Sequence, residues 1–338
     1  VSDQSEKRPS RLGLIIPFVI LLGLVILYSL YWFQMASLVK ARFLETKTDL
    51  ASEGIALTHN PIEVSGYPFR LYVPLRNLSI KTKEGAALSI DDLVLEAASY
   101  DPQKWVIAAR SDILYVPALK RLDAMDLGTI RISSKSLKAS VTGLQKPVPD
   151  FALDAQMVRV SSENDALSIL RSADRLQFYT RQSKTPKALD LLLIADKAVM
   201  GGLYYLDQTI GSEPLFLHFE TSLINDQKEL WPSWHYMNAQ ALRAEVKGSD
   251  YQIDLKSPSL RLDQGGRIEG QLELGLSGDK ASQILMAQVG QSNSLPVQAN
   301  KIDKPITLVL SFSQGNTYLG PIKLSKSPQL IQPIKTKD

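Results

Sequence analysis

From Ile55 onward, apolar and polar residues alternate with a period of two. "SLKASVTG" places Leu137, Ala139 and Val141 on one phase, and "FALDAQM" does the same with Phe151, Leu153, Ala155 and Met157. "LFLHFETSL" follows with Leu215, Leu217, Phe219 and Thr221, "YQIDLKS" with Ile253 and Leu255, and "RIEGQLELGLSG" with Ile268, Leu272, Leu274 and Leu276. Successive side chains of a strand point to opposite faces, so these runs predict antiparallel strands with one apolar and one polar face. The short connections "KTKEGA" and "LDQGGR" suit hairpins or meanders.

One strand carries its own punctuation. In "IEVSGYPFRLYVPLRNLSI", Phe69, Leu71, Val73 and Leu75 alternate with Arg70, Tyr72, Pro74 and Arg76. Gly66 and Pro68 turn the chain into the sheet, and Pro74, which has no N–H, belongs at an edge or a bulge. Three segments read as helices instead. They are "AVMGGLYYLDQTIG" (198–211), "LWPSWHYMNAQALRAEVKG" (230–248) and "DKASQILMAQVG" (279–290). In the second, Leu230, Trp234, Met237 and Ala241 fall at i, i+4, i+7 and i+11, with Pro232 in the first turn and Gly248 after the end.

The N-terminal pattern is different. "LGLIIPFVILLGLVILYSLYWF", Leu12 to Phe33, contains no charge. At 1.5 Å per residue it makes a helix of roughly 33 Å, enough to cross a hydrocarbon core of about 30 Å. A cleavable signal peptide would have a shorter apolar run ending in a small-x-small site, and this run ends in "LYWFQMASLVKA". The sequence therefore predicts an uncleaved anchor, with Tyr28, Tyr31 and Trp32 at the membrane interface. Lys7, Arg8 and Arg11 before the span are balanced by Lys40, Arg42 and Lys47 after it. Charge thus leaves the orientation open; a short tail, one span and a large following domain is the signal-anchor layout, with the domain outside the cytoplasm. Residues 34–54 stay helix-compatible up to a capping Gly54 and read as a stalk.

Composition narrows the chemistry. The net charge of +3, from 38 Lys and Arg against 35 Asp and Glu, gives no field that argues for nucleic acid. The absence of cysteine excludes disulfides, thiolate metal sites and cysteine nucleophiles. His59, His218 and His235 show no metal-binding spacing. Asp91 and Asp92 point to opposite faces of an extended segment; neither they nor the pairs Asp123/Asp126 and Glu163/Asp165 supply enough oxygens for calcium. Two Ser-x-x-Lys matches, Ser37/Lys40 and Ser277/Lys280, lack the companion motifs of a serine-lysine acyl-enzyme. The sequence thus nominates no catalytic residue, no cofactor and no metal. "WPSWHY" is the densest aromatic cluster; Trp231 and His235 sit on one flank of it and are candidates for partner contact.

The order of several loose motifs carries a resemblance. "VSGYPFRL" near the start of the β region, "SPSLRLDQGGRIEGQLELGLSG", a short segment closing on Gly290 and then "GNTYLGPIKL" together resemble a family of Gram-negative inner-membrane-anchored proteins of unknown function, distantly similar to AsmA-like envelope proteins. The resemblance implies an elongated, twisted antiparallel sheet and a periplasmic role on the theme of lipid transfer. It carries no catalytic residues.

The expected architecture is mainly β within the α+β class. It comprises a cytoplasmic tail (1–11), a transmembrane helix (12–33), a helical stalk (34–54), a β-rich periplasmic domain (55–325) and a flexible tail (326–338). The domain is a curved antiparallel sheet with a few flanking helices, divisible near 200–213 into two similar halves. Its apolar face would form a groove, lined by Phe69, Leu71, Val73, Leu75, Ile268, Leu272 and Leu274, that holds membrane lipid. A structural subunit docking on another inner-membrane or envelope protein is the alternative reading, and an envelope enzyme the third.

Overall fold

The structure is a computed structural model and describes residues 12–118, 128–163, 170–185, 188–200, 213–225, 237–263, 266–278 and 306–328. It consists of one long helix and one antiparallel sheet, as the alternation predicts.

The helix, α1 (Leu12–Ser52), is 41 residues long. Its two halves have different surroundings. From Ile15 to Leu27 it is apolar on all sides and its large side chains are exposed, Phe18 at 68% and Leu27 at 64%. From Trp32 a single stripe spaced for one helix face, Trp32, Ala36, Val39, Phe43 and Leu50, packs onto the sheet. The helix stops where Gly54 takes φ 79°, with Ile55 N–H bonded to Leu50 O and Gly54 N–H to Ala51 O. This is a glycine C-cap that satisfies the last carbonyls. The segment expected to be a stalk therefore lies against the sheet as its cover.

The sheet has seventeen strands among the described residues, and they follow one another as a meander. The short β1 (Ala56–Thr58) lies beside β2 (Arg70–Lys81), and β2 pairs with β3 (Ala87–Ala98). The next two places in the sheet are each filled by a pair of strands. β4 (Asp101–Ala109) and β5 (Ile113–Val116) both pair with β3, while β6 (Ile130–Ser133) and β7 (Ser136–Thr142) both pair with β8 (Asp150–Ser162). From β8 the order is sequential through β9 (Leu170–Gln182), β10 (Ala188–Met200), β11 (Leu215–Asn225), β12 (Met237–Lys247) and β13 (Tyr251–Leu262). It ends with β14 (Ile268–Gly278), β15 (Ile306–Ser313), β16 (Asn316–Leu319) and β17 (Ile322–Lys326).

Two sequence expectations change here. Residues Met237–Lys247 form β12 instead of a helix. The helical spacing is real, but Ala239, Ala244 and Val246 pair with both neighbouring strands and Leu242 with β13, the phase flipping at Ala241, where φ is 49°. Ladder bonds on two sides outweigh a weak local preference. Ala198–Met200 likewise ends a strand, and the rest of that helical candidate, with 279–290, lies outside the described residues. Residues 201–212, where the sequence suggests a division into two halves, lie outside the described residues, and β10 and β11 on either side of them pair directly.

Pro74 lies within β2, where it is tolerated. Tyr72 exchanges both backbone bonds with Ser65, and Arg76 O accepts from Asn60 N–H, so even-numbered residues of β2 address the β1 side. Pro74 therefore directs its missing donor toward residues 61–64, which make no ladder bonds.

Candidate functional site

Residues opposite one another in an antiparallel ladder share a face, so the register can be followed from strand to strand. Starting at Val73, one row runs through Leu95, Ile107, Ala139, Leu153 and Phe178. It continues through Leu193, Phe219, Ala244, Leu255, Leu274 and Leu308. The neighbouring row starts at Leu75 and passes through Leu93, Ala109, Leu137, Ala155 and Leu176. It then follows Ala195, Leu217, Val246, Ile253, Leu276 and Ile306. Two adjacent rows thus cross the sheet from β2 to β15 without one polar side chain.

The rows begin under cover and then leave it. Val73 is 0% and Leu75 3% exposed, packed below Val39, Phe43 and Leu50 of α1. Beyond β7 most of the large residues, among them Leu153, Phe178, Leu193, Phe219, Leu255, Leu274 and Leu308, are half-buried, while Leu276 is buried. Among the described residues α1 is the one helix, and it packs only on the first strands. From β8 to β15 there are seven strand spacings of about 4.8 Å, so this open part is about 34 Å wide.

The expected lining residues therefore fall into three groups. Leu71, Val73 and Leu75 are closed core beneath α1, not groove wall, because the helical stripe fills the space above them. Phe69 precedes β2 and is 68% exposed at the end of the sheet. Ile268, Leu272 and Leu274 are half-buried on the apolar face.

The opposite face is polar and its charges are paired. Arg175 holds Asp154 through two 2.9 Å bonds, and that hydrogen bonding keeps the Asp154 carboxyl below its ordinary value despite some burial. Arg261 pairs with Glu269 and Arg131 with Asp112, both at 2.9 Å. A cavity of about 790 Å³ lies on this face across β7 to β12. Tyr179, Arg181, Asp190, Glu220, Ser222 and Arg243 project into it. Ser222 Oγ donates to Asp190 at 2.7 Å and Arg181 reaches it at 3.3 Å. Burial alone would raise the Asp190 carboxyl, but hydrogen bonds from Ser222, Ser183 and Arg181 outweigh it and hold the group low. Nothing local in the sequence announces this trough, since its residues come from six strands and only the register unites them.

The candidates at the helix are also resolved. Tyr28 donates to Pro68 O at 3.0 Å and lies 2.7 Å from Ser99 Oγ, and Tyr31 donates to Ser99 O at 2.9 Å. Trp32 is 4% exposed and gives its indole N–H to Arg70 O at 2.9 Å. It is a clamp into the sheet and not a ring facing lipid. Trp231 and His235 lie in the connection between β11 and β12, outside the described residues. Of the other histidines, His59 bonds Asn60 O and His218 lies 3.9 Å from Glu220. No three His, Asp or Glu come together to hold a metal among the described residues.

A model of the family described as "Uncharacterized protein conserved in bacteria (DUF2125)" matches residues 32–328. The chain belongs to this bacterial family. The matched span opens at Trp32, the first residue of the stripe that clamps the sheet, and closes just after β17, so the clamp and the two apolar rows all fall within the DUF2125 region. No curated protein and no solved structure matches the chain. Ahead of the DUF2125 span, the first half of α1 is long and apolar enough to cross a membrane.

Proposed function

We propose that this DUF2125 protein is a non-catalytic, single-pass inner-membrane protein whose sheet lies in the periplasm and carries the alkyl chains of membrane lipids. The observation that carries the reading is the pair of apolar rows that begins beneath the anchor helix and continues, half-buried, to β15. Each methylene withdrawn from water onto such a face contributes about 0.8 kcal/mol, so a chain of about fourteen methylenes gains roughly 11 kcal/mol before ordering costs. Such affinity needs no catalytic group and no cofactor. The anchor supports the reading as well, because it holds the face beside a reservoir of lipid. The resemblance to AsmA-like envelope proteins points to the same theme.

The test is native mass spectrometry of the full-length protein extracted gently from its membrane, with analysis of whatever is bound. Phospholipid retained by the wild type and lost from a Leu193→Gln/Leu274→Gln variant is the expected result. Lipid-free wild-type protein that extracts no phospholipid from vesicles overturns it. A stoichiometric protein in place of lipid would reassign the face to subunit docking.

A further inference from the structure

The end of the sheet that meets α1 carries an unusual set of exposed rings. The turn Gly66–Phe69 leads into β2, and Ser99–Tyr100 joins β3 to β4 beside it. Tyr67 is 46%, Phe69 68% and Tyr100 76% exposed, all well outside the apolar rows. The turn is built to hold its rings outward. Gly66 takes φ 98°, and a Cβ there would come within 2.9 Å of Arg70 O. Ser99 N–H bonds Phe69 O at 2.9 Å, which locks the two turns together.

The two turns that carry these rings meet α1 between Tyr28 and Phe33. Tyr67 lies 2.7 Å from Ser29 Oγ through its hydroxyl, stacks on Phe33 at 5.9 Å and meets the edge of Trp32 at 5.5 Å. Pro68 and Ser99 accept from Tyr28 and Tyr31. The run from Leu12 to Trp32 rises about 30 Å, one hydrocarbon thickness, and the next charge in the chain is Lys40. The contact zone between helix and sheet therefore lies where the helix leaves the apolar layer, the level that Tyr and Trp rings favour.

From this juxtaposition we infer that Tyr67, Phe69 and Tyr100 form a second membrane contact: the β2–β4 end of the sheet rests in the headgroup layer of the bilayer that α1 spans. The occupant of this patch is the phospholipid surface itself, because the patch is continuous with the face of α1 already in it. The contact fixes the sheet's attitude to the membrane and sets the covered start of the apolar rows close to the lipid. The inference rests on α1 spanning the bilayer and is independent of whether lipid lies along the rows.

The absence of cysteine makes the test direct. Single variants Phe69→Cys, Tyr100→Cys, Leu22→Cys and Val309→Cys of the full chain are spin-labelled in phosphatidylethanolamine/phosphatidylglycerol vesicles, and access of a water-soluble nickel chelate is compared. Val309, on the polar face of β15 and 43% exposed, reports free water. Labels at 69 and 100 are expected to be about fivefold less accessible than at 309, with Leu22 more sheltered still. A sheltered Leu22 with 69 and 100 as open as 309 overturns the second contact alone. An open Leu22 removes the spanning reading and the second contact with it.

Discussion

Two parts of one sheet share a sequence pattern and differ in fate. In β2 and β3 the apolar phase is sealed beneath α1, with Leu71 and Val73 fully buried. In β9 to β15 most large residues of the same phase stay half-buried, and full burial is confined to alanines such as Ala195 and Ala198 and to a few larger residues, Leu215, Tyr251, Leu276 and Phe312. Alternation specifies which face a side chain takes; what covers that face is decided by another element. The first strands have a helix stripe above them, so their alternation ends as core. Among the described residues the later strands have only neighbours within the sheet, so most of their large side chains stay partly open.

The sharpest way to break this comparison is truncation on each side. Leu71→Ala should cost about 2–5 kcal/mol in urea unfolding of the full chain, the usual cost of a cavity at a fully buried site. Leu274→Ala should cost about 1 kcal/mol, since much of its surface is already open. Equal losses would show that the later face is as closed as the first. Lipid retention should respond in the opposite order. Leu193→Gln/Leu274→Gln should lower bound phospholipid by about tenfold, while Leu71→Ala leaves it unchanged once folded, as read by mass spectrometry.

Smaller effects test the clamp. Trp32→Phe removes the bond to Arg70 O and should cost about 1 kcal/mol, visible as a lower unfolding midpoint. At the smallest end is a pH effect absent near neutrality. Burial, and then the charge of Glu213, push the Tyr251 hydroxyl up to about 12 from an ordinary 10.0. A group raised in the folded state stabilises fully below its unfolded value and loses that contribution as pH rises through the folded one. Stability should therefore fall between about pH 10 and 12, and Tyr251→Phe should flatten that slope in chemical unfolding measured across the range.

Much of the fold was readable because period two is a strong local signal. Strands β7, β8, β11, β13 and β14 coincide with runs whose phases are unmistakable, and the turns at Thr82–Ala86 and Asp263–Arg267 close where glycine and polar residues cluster. β12 was hidden because its alanines favour a helix and Met237 and Ala241 continue the helical spacing begun by Leu230 and Trp234. The stripe Trp32, Ala36, Val39, Phe43 and Leu50 was written in the sequence at helical spacing, yet nothing local says which surface it meets. That missing fact turned three expected groove residues into core. The polar trough was unreadable for a related reason: Asp190, Ser222 and Arg243 are neighbours only through register.

The meander has a consequence for how the chain is made. Every strand after β3 finds its partner among those formed shortly before it, so no long-range closure has to wait for the C-terminus. Once α1 and the first strands have assembled, each later hairpin has a finished edge to build on. A sheet of this kind lengthens by adding hairpins at its far end, about 10 Å for each pair, while the seed beneath α1 stays unchanged.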